Sequence, residues 1–307
     1  MIRYLKNQFI DRQKYDRCIG LDARGNIYGH SWYLDLTASN WDALVMDDYQ
    51  AVWPLPWRKK YGFKYFYRPV GIQQLGIFSL KALDSDQLLA FYKAMTRQAS
   101  FSEVWLNAGD QPLEIPGIKL EFKPNINLKL PLAKDYRQVF ESFNKNRQRI
   151  IKKLSRGNEL SLFEHDDPQV LIQLFRQNQG QKYKLPDDFY QTMKKLMYRA
   201  LHRNCARLLT VYGPPNQIVA GAFFLENQGR QVFLFSAIDK LGREYNAMDY
   251  LLNEFLIYHS DRSRELDFEG SNLEGLQHYY RSFGAREETY YQLRYNGLPS
   301  FLKWLKK

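Results

Sequence analysis

The chain has 307 residues, with 44 Lys and Arg against 33 Asp and Glu, a formal net charge of +11 and a 45% hydrophobic share. That length is read as two domains, and 22 Tyr, 20 Phe and 6 Trp supply the aromatic content that disordered chains lack. No apolar run reaches the roughly 18 residues of a membrane-spanning helix. Two cysteines are too few for a disulfide framework or a zinc site, and the five histidines form no HExxH pair, so no metal centre is expected.

The start, MIRYLKNQFIDRQKYDR, has no apolar core and no small-residue cleavage site, so no secretory signal is expected and the cytoplasm is the default compartment. Helices are predicted near 11–18 and 29–37. WDALVMD (41–47) and QAVWPLP (50–56) read as strands paired across a tight Asp-Tyr turn. Pro54 and Pro56 suit an edge or a bulge there, since proline cannot donate to a ladder. KYFYRP (64–69), QLGIFS (74–79) and EVWLNA (103–108) are further strands. DSDQLLAFYKAMTRQA (84–99) is a helix opened by an Asp84/Gln87 capping pair. Aromatics between Trp53 and Tyr67 interleave with Arg58, Lys59, Lys60, Lys64 and Arg68, which fits base stacking, a membrane surface or a half-buried sheet.

IKLEFKPNINLKLPL (118–132) is extended, and prolines 124 and 131 mark a seam. A basic helix is predicted over 137–155, and NELSLFE (158–164) alternates as a strand. Helices follow at 169–179 and from Asp187. ARLLTVY (206–212), IVAGAFFLE (218–226) and QVFLFSA (231–237), separated by GPPN and NQG, read as an antiparallel meander. A helix runs from Asn246 to His259, and RELDFE (264–269) is a short strand. The turn at 270–272 opens a helix through a Ser271/Glu274 capping box, ending near Phe283-Gly284, and ETYYQLRY (288–295) is the last strand. Both halves give a similar order, which indicates a tandem repeat of one α/β unit.

Two groups of residues carry chemistry. Lys145, Arg147, Arg149, Lys152 and Lys153 lie on a stretch with no acid between Ser142 and Asn158. Such a face suits phosphate or plain solvation, and Arg147 falls toward the apolar seam, where it would be structural. Asp267 and Glu269 are two apart on a strand, so alternation puts both on one face. There, one of them could take a proton from an acceptor amine, or the pair could be an ion-paired strand end.

FNKNRQRIIKKLSRG (143–157), LDFEGS (266–271) and GLQHYYRSFGA (275–285) resemble the opening basic helix, the "YDFGGS" strand-turn and the "GLxxFKxxFG" helix of the Fem-type (FemABX) peptidoglycan aminoacyltransferases, members of the GNAT superfamily. HSWYLDLTASNWDALV (30–45) is similar to the entry of the first domain in bacterial Fem-like proteins. The resemblance implies tandem GNAT-like α/β domains, 1–132 and 133–307, each a mixed, mostly antiparallel sheet flanked by helices. It implies transfer of an activated acyl or aminoacyl group to an amine. The donor would be an aminoacyl-tRNA or an acyl-CoA, and the acceptor a phosphorylated envelope precursor, with peripheral membrane contact. Tyr280 lines up with the GNAT tyrosine that protonates the leaving thiolate. Arg243 and Asn246 would stand on the donor side at a helix start. The stretch 239–247 lacks the two glycines of the [RQ]xxGx[GA] loop. The rival expectation is a GNAT-shaped binding module without activity, for nucleic acid or glycolipid.

Overall fold

The computed structural model describes residues 1–24, 26–157, 159–269 and 273–299. The chain divides into two compact units, Met1–Asn125 with Thr289–Lys307, and Ile126–Glu288. No helix among the described residues is long and apolar enough to cross a membrane.

The first unit holds β1 (Ile2–Lys6), α1 (Arg12–Leu21), α2 (Ser31–Thr37), β2 (Trp41–Met46), β3 (Ala51–Lys60), β4 (Phe63–Phe66), β5 (Phe78–Ser79), α3 (Ser85–Thr96) and β6 (Phe101–Trp105). The expected hairpin is present, with β2 antiparallel to β3 from Trp41↔Pro56 to Met46↔Ala51. Among the described residues, β5 pairs with Ala51 and Val52 and β4 with Trp57–Lys60, so the segment with Pro54 and Pro56 between them has β2 as its one strand partner. The strand β1, not expected from the sequence, pairs with β2. The strand expected at 74–79 shrinks to β5. The Asn107 side chain takes the Gly76 N–H at 3.1 Å and donates to the Ile77 carbonyl at 3.0 Å, which diverts that backbone from a ladder. α3 opens with the expected box: Asp84 accepts from the Gln87 N–H at 2.8 Å, and Gln87 accepts from the Asp84 N–H at 3.1 Å. Trp53 and Phe66 are buried, Lys64 lies over Trp57 at 4.5 Å and Arg58 over Tyr67 at 4.4 Å. Those aromatics therefore build a half-buried sheet whose bases are engaged locally.

β7 (Leu120–Pro131) leads into the second unit. There follow α4 (Tyr136–Glu141), α5 (Lys145–Leu154), β8 (Ser161–His165), α6 (Gln169–Gln177), α7 (Gln179–Tyr183), α8 (Asp187–His202), β9 (Ala206–Gly213), β10 (Gln217–Asn227) and β11 (Arg230–Ile238). α9 (Lys240–Glu244), α10 (Ala247–His259), β12 (Glu265–Asp267), α11 (Glu274–Arg281) and β13 (Arg286–Asn296) complete the order. The single helix expected over 137–155 is two, α4 and α5. Asn144 breaks it, because its side chain accepts the Arg147 N–H at 2.8 Å and starts a new helix as N-cap. The sheet of this unit runs β7-β12-β11-β10-β9-β8. β11 and β12 are parallel, and the other neighbours are antiparallel. The meander appears as expected.

Helices cover both faces of this sheet. α10 buries Leu251, Leu252, Phe255 and Leu256, and Phe255 stacks on Phe224 of β10 at 3.8 Å and 11°. On the other face Gly221 lets Leu171 of α6 come close; a Cβ there would stand 3.1 Å from the Leu171 Cδ1. Ser271, expected to cap α11, lies outside the described residues, and the helix begins at Glu274 after Leu273. From Thr289 on, β13 belongs to the first unit, where it pairs antiparallel with β6, Gln292↔Trp105 to Asn296↔Phe101.

Candidate active site

β11 and β12 stay paired for three residues, Arg230↔Glu265, Gln231↔Leu266 and Val232↔Asp267. β12 then ends, while β11 continues to Ile238 along β10. A bulge interrupts β11 just past the separation. Phe224↔Phe233 is followed by Phe223↔Phe235, so Leu234 is an extra residue. The extra residue reverses the alternation of side chains. Phe233 meets Phe224 at 5.3 Å and Phe268 at 6.1 Å, whereas Phe235 meets Phe175 of α6 at 4.6 Å.

A cleft of about 600 Å³ opens at this separation. Its lining comes from both faces of the sheet: Phe175, Gln179 and Tyr183 from α6 and α7, Leu234 to Ser236 from β11, Met248 and Asp249 from α10, and Leu276, Tyr279 and Tyr280 from α11. Past Val232, β11 has no strand partner on the β12 side among the described residues, so peptide groups there are available to a bound molecule. The Oε1 of Gln179 is buried without a hydrogen-bond partner, while its Nε2 donates to the Ile238 carbonyl at 3.1 Å.

Tyr280 lines this cleft and is 7% exposed. Its ring stacks on Phe268 at 4.5 Å and 14°. Burial first, and then the nearby negative charge of Glu269, pushes the phenol well above its ordinary range. The hydroxyl therefore keeps its proton near neutral pH. Tyr279 lines the cleft too, and its hydroxyl donates to Asp249 Oδ1 at 2.6 Å.

The two acids of 264–269 part company. Glu269 lines the cleft. Asp267 does not: it is fully buried, paired with Arg230, and accepts from Asn127 Nδ2 at 2.9 Å. The alternation argument fails because β12 stops at Asp267 and Glu269 takes a left-handed φ of 49°. Asp267 sits where an acid that orients its neighbours would sit, away from a substrate.

Arg147 takes the structural one of its two expected places rather than the phosphate-binding face. It is buried, its Nη1 is paired with Asp249, and its Nε donates to Ser282 Oγ at 3.0 Å. Its guanidinium lies 4.6 Å from the ring centres of both Tyr279 and Phe283. Buried and paired, it is placed as a structural arginine. Its partner Asp249 was missed by the sequence reading. Burial holds that carboxyl above its usual range although Arg147 and Tyr279 pull it down. The available signal was position: Asp249 precedes Leu252 and Leu256 on the inward stripe of α10. Lys145, Arg149, Lys152 and Lys153 instead point to solvent and form an exposed basic face, none of them lining the cleft. Lys153 does border a smaller hollow of about 250 Å³ with Asn246, and Asn246 also lines the cleft.

Residues 142–279 match the family model of the acetyltransferase (GNAT) domain. The structure is similar to that of FemX, with a TM-score of 0.71, 12% identity, and coverage of 99% of this chain and 100% of that one. The fold is that of FemX, and the GNAT-domain match falls within the second unit. It is also similar to a conserved protein of unknown function from Bacteroides thetaiotaomicron, with a TM-score of 0.64, 12% identity and coverage of 96% and 100%. L-PGS from Bacillus licheniformis gives a TM-score of 0.55, 12% identity and coverage of 96% and 95%. No curated protein matches the sequence.

In this GNAT fold the stretch that lacks the loop glycines is the short helix α9. Asp239 caps it by accepting the Gly242 N–H at 2.6 Å. Gly242 is required by close approach: a Cβ would stand 2.3 Å from the Val219 carbonyl oxygen. α9 therefore lies directly on β10 and carries Arg243 to the cleft. Asn246, at φ 55°, turns the chain into α10. Both residues expected on the donor side line the cleft, together with Glu269 and Tyr280.

Proposed function

We propose that this protein transfers an activated acyl or aminoacyl group to an amine acceptor in the cleft of its second unit. The observation that carries the reading is the separation of β11 from β12, with a protonated Tyr280 and the carboxylate of Glu269 on the same cleft. The donor carbonyl would lie along the bulged edge of β11, where backbone N–H groups can stabilise the tetrahedral oxyanion. The amine nitrogen forms the new C–N bond and gives its proton to Glu269. The carbon–sulfur or carbon–oxygen bond to the carrier breaks as Tyr280 passes its proton to the leaving atom. Arg243 and the start of α10 favour a phosphate-bearing carrier at that end. The exposed face of Lys145, Arg149, Lys152 and Lys153 suits the same carrier's phosphates, which fits an aminoacyl-tRNA better than a small thioester. The Fem-type resemblance supports a phosphorylated envelope precursor as the acceptor.

The test is transfer by the purified protein, followed by mass spectrometry of the acceptor. Aminoacyl-tRNA and acyl-CoA are offered separately, with lysine-containing envelope precursors as acceptors. Product from either donor supports the reading. Absence of product from both, with donor binding intact, favours the binding-module alternative.

A further inference from the structure

The α6–α7 side of the cleft has a chemistry of its own. Phe175 and Phe235 pack there at 4.6 Å, and Tyr183, 49% exposed, stands at the rim. Gln179 contributes to that arm an oxygen buried without a hydrogen-bond partner. α6 and α7 bring no acid to the lining. The acids that do line the cleft, Asp249 and Glu269, stand on the α10 and β12 side, and Asp249 is already paired with Arg147. Across the mouth, Leu273 and Leu276 are 55% and 41% exposed, although both border the cleft. Large apolar side chains held at the rim of a pocket are what a bound apolar group covers.

Resting on the acyl-transfer reading, we propose that the group this cleft selects is an acyl group with an extended, uncharged apolar part, an aliphatic chain or the side chain of a large apolar amino acid. The size agrees: about 600 Å³ is far more than an acetyl or glycyl group fills, and lies in the range of pockets that enclose larger ligands. The charge agrees as well. A lysyl ammonium in the α6–α7 arm would be desolvated with no carboxylate from that arm to meet it. Gln179 Oε1 accepts a hydrogen bond from an N–H of the donor, which sets the acyl arm's register against β11.

The experiment measures binding and transfer separately on the full chain. The probes are acetyl-CoA, octanoyl-CoA, and glycyl-, leucyl-, phenylalanyl- and lysyl-tRNA. Within whichever carrier binds, the apolar member should bind at least about tenfold tighter than its small or cationic counterparts, the discrimination a shaped apolar pocket gives. The two carriers distinguish a fatty acyl source from an aminoacyl one. Tyr183→Glu, at an exposed position that the fold tolerates, should cut the apolar preference several-fold and improve lysyl-tRNA. Equal or tighter binding of the glycyl, lysyl or acetyl donor overturns the inference, as does a preference unmoved by Tyr183→Glu and by Phe175→Ala in folded protein. Apolar binding with no turnover would instead sink the transferase reading and leave the selectivity standing. No binding by any probe overturns both.

Discussion

Asp267 holds Glu269 in place: its Oδ1 accepts the Glu269 backbone N–H at 2.8 Å, at the point where Glu269 takes a left-handed φ of 49°. One acid is buried to turn the chain, and the other reaches the cleft because of that turn. Asp267→Ala should therefore break the buried pair with Arg230, whose other carboxylate, Glu265, stands farther off at 3.7 Å, and cost about 3–5 kcal/mol in urea unfolding. Glu269→Gln should leave the unfolding midpoint within about 0.5 kcal/mol of the wild type while lowering turnover. The same stability loss in both variants would contradict this division of labour.

Tyr280→Phe removes the phenolic proton and little else, because the ring still stacks on Phe268. Once a donor and acceptor are in hand, turnover should fall about 10²-fold or more, with an unchanged melting temperature. A near-wild-type rate would take Tyr280 out of the chemistry.

The bases of α5 divide into two kinds, and the division is measurable. Arg147→Ala strips Asp249 of its buried partner and should destabilise the protein by about 3–5 kcal/mol. The triple change Arg149→Ala, Lys152→Ala and Lys153→Ala should leave the unfolding curve near that of wild type. It should weaken tRNA binding and flatten the dependence of log affinity on log salt by about 0.7–0.9 for each phosphate no longer neutralised. An unchanged salt slope would reduce that face to a solvated surface.

His259 lies 4.1 Å from Phe255 in a stacked arrangement, and burial, helped by the charge of Arg207, pushes its pKa down to about 4. The native state therefore holds it neutral, while the unfolded chain takes up the proton near 6.5. Below that pH the unfolded state binds the extra proton, so stability is lost as pH falls from 6.5 toward 4. Asp110, raised to about 6 by burial, works against this trend, since its native state gains a proton over that interval. The difference between wild type and His259→Phe isolates the histidine. The wild-type urea midpoint should drop further between pH 7 and pH 5 than that of the variant.

Gly242→Ala places a methyl group against the Val219 carbonyl, which belongs to the backbone and cannot swing away. A loss of about 1–3 kcal/mol is expected, with weaker donor binding because α9 carries Arg243. Unfolding curves and donor titration on the one variant check both.

What the sequence determined by itself is what local rules govern. Alternation set the β9–β11 meander, the inward stripe set α10, and the Asp84/Gln87 pair set the start of α3, because each depends on residues within a turn or a hairpin. The Fem-type motifs added the fold of the whole and pointed to Tyr280. The site needed more than that. Alternation would have put Asp267 and Glu269 on one face, but β12 ends at Asp267 and Glu269 takes a left-handed φ. Arg147 looked like one base among five on a helix, but folding set it against Asp249, some hundred residues away along the chain. Whether a charge meets phosphate or a buried carboxylate, and whether an extra residue such as Leu234 reverses a strand's faces, depends on partners that no local spacing encodes. Those choices were made by tertiary packing, where desolvation leaves a buried charge no alternative to its partner.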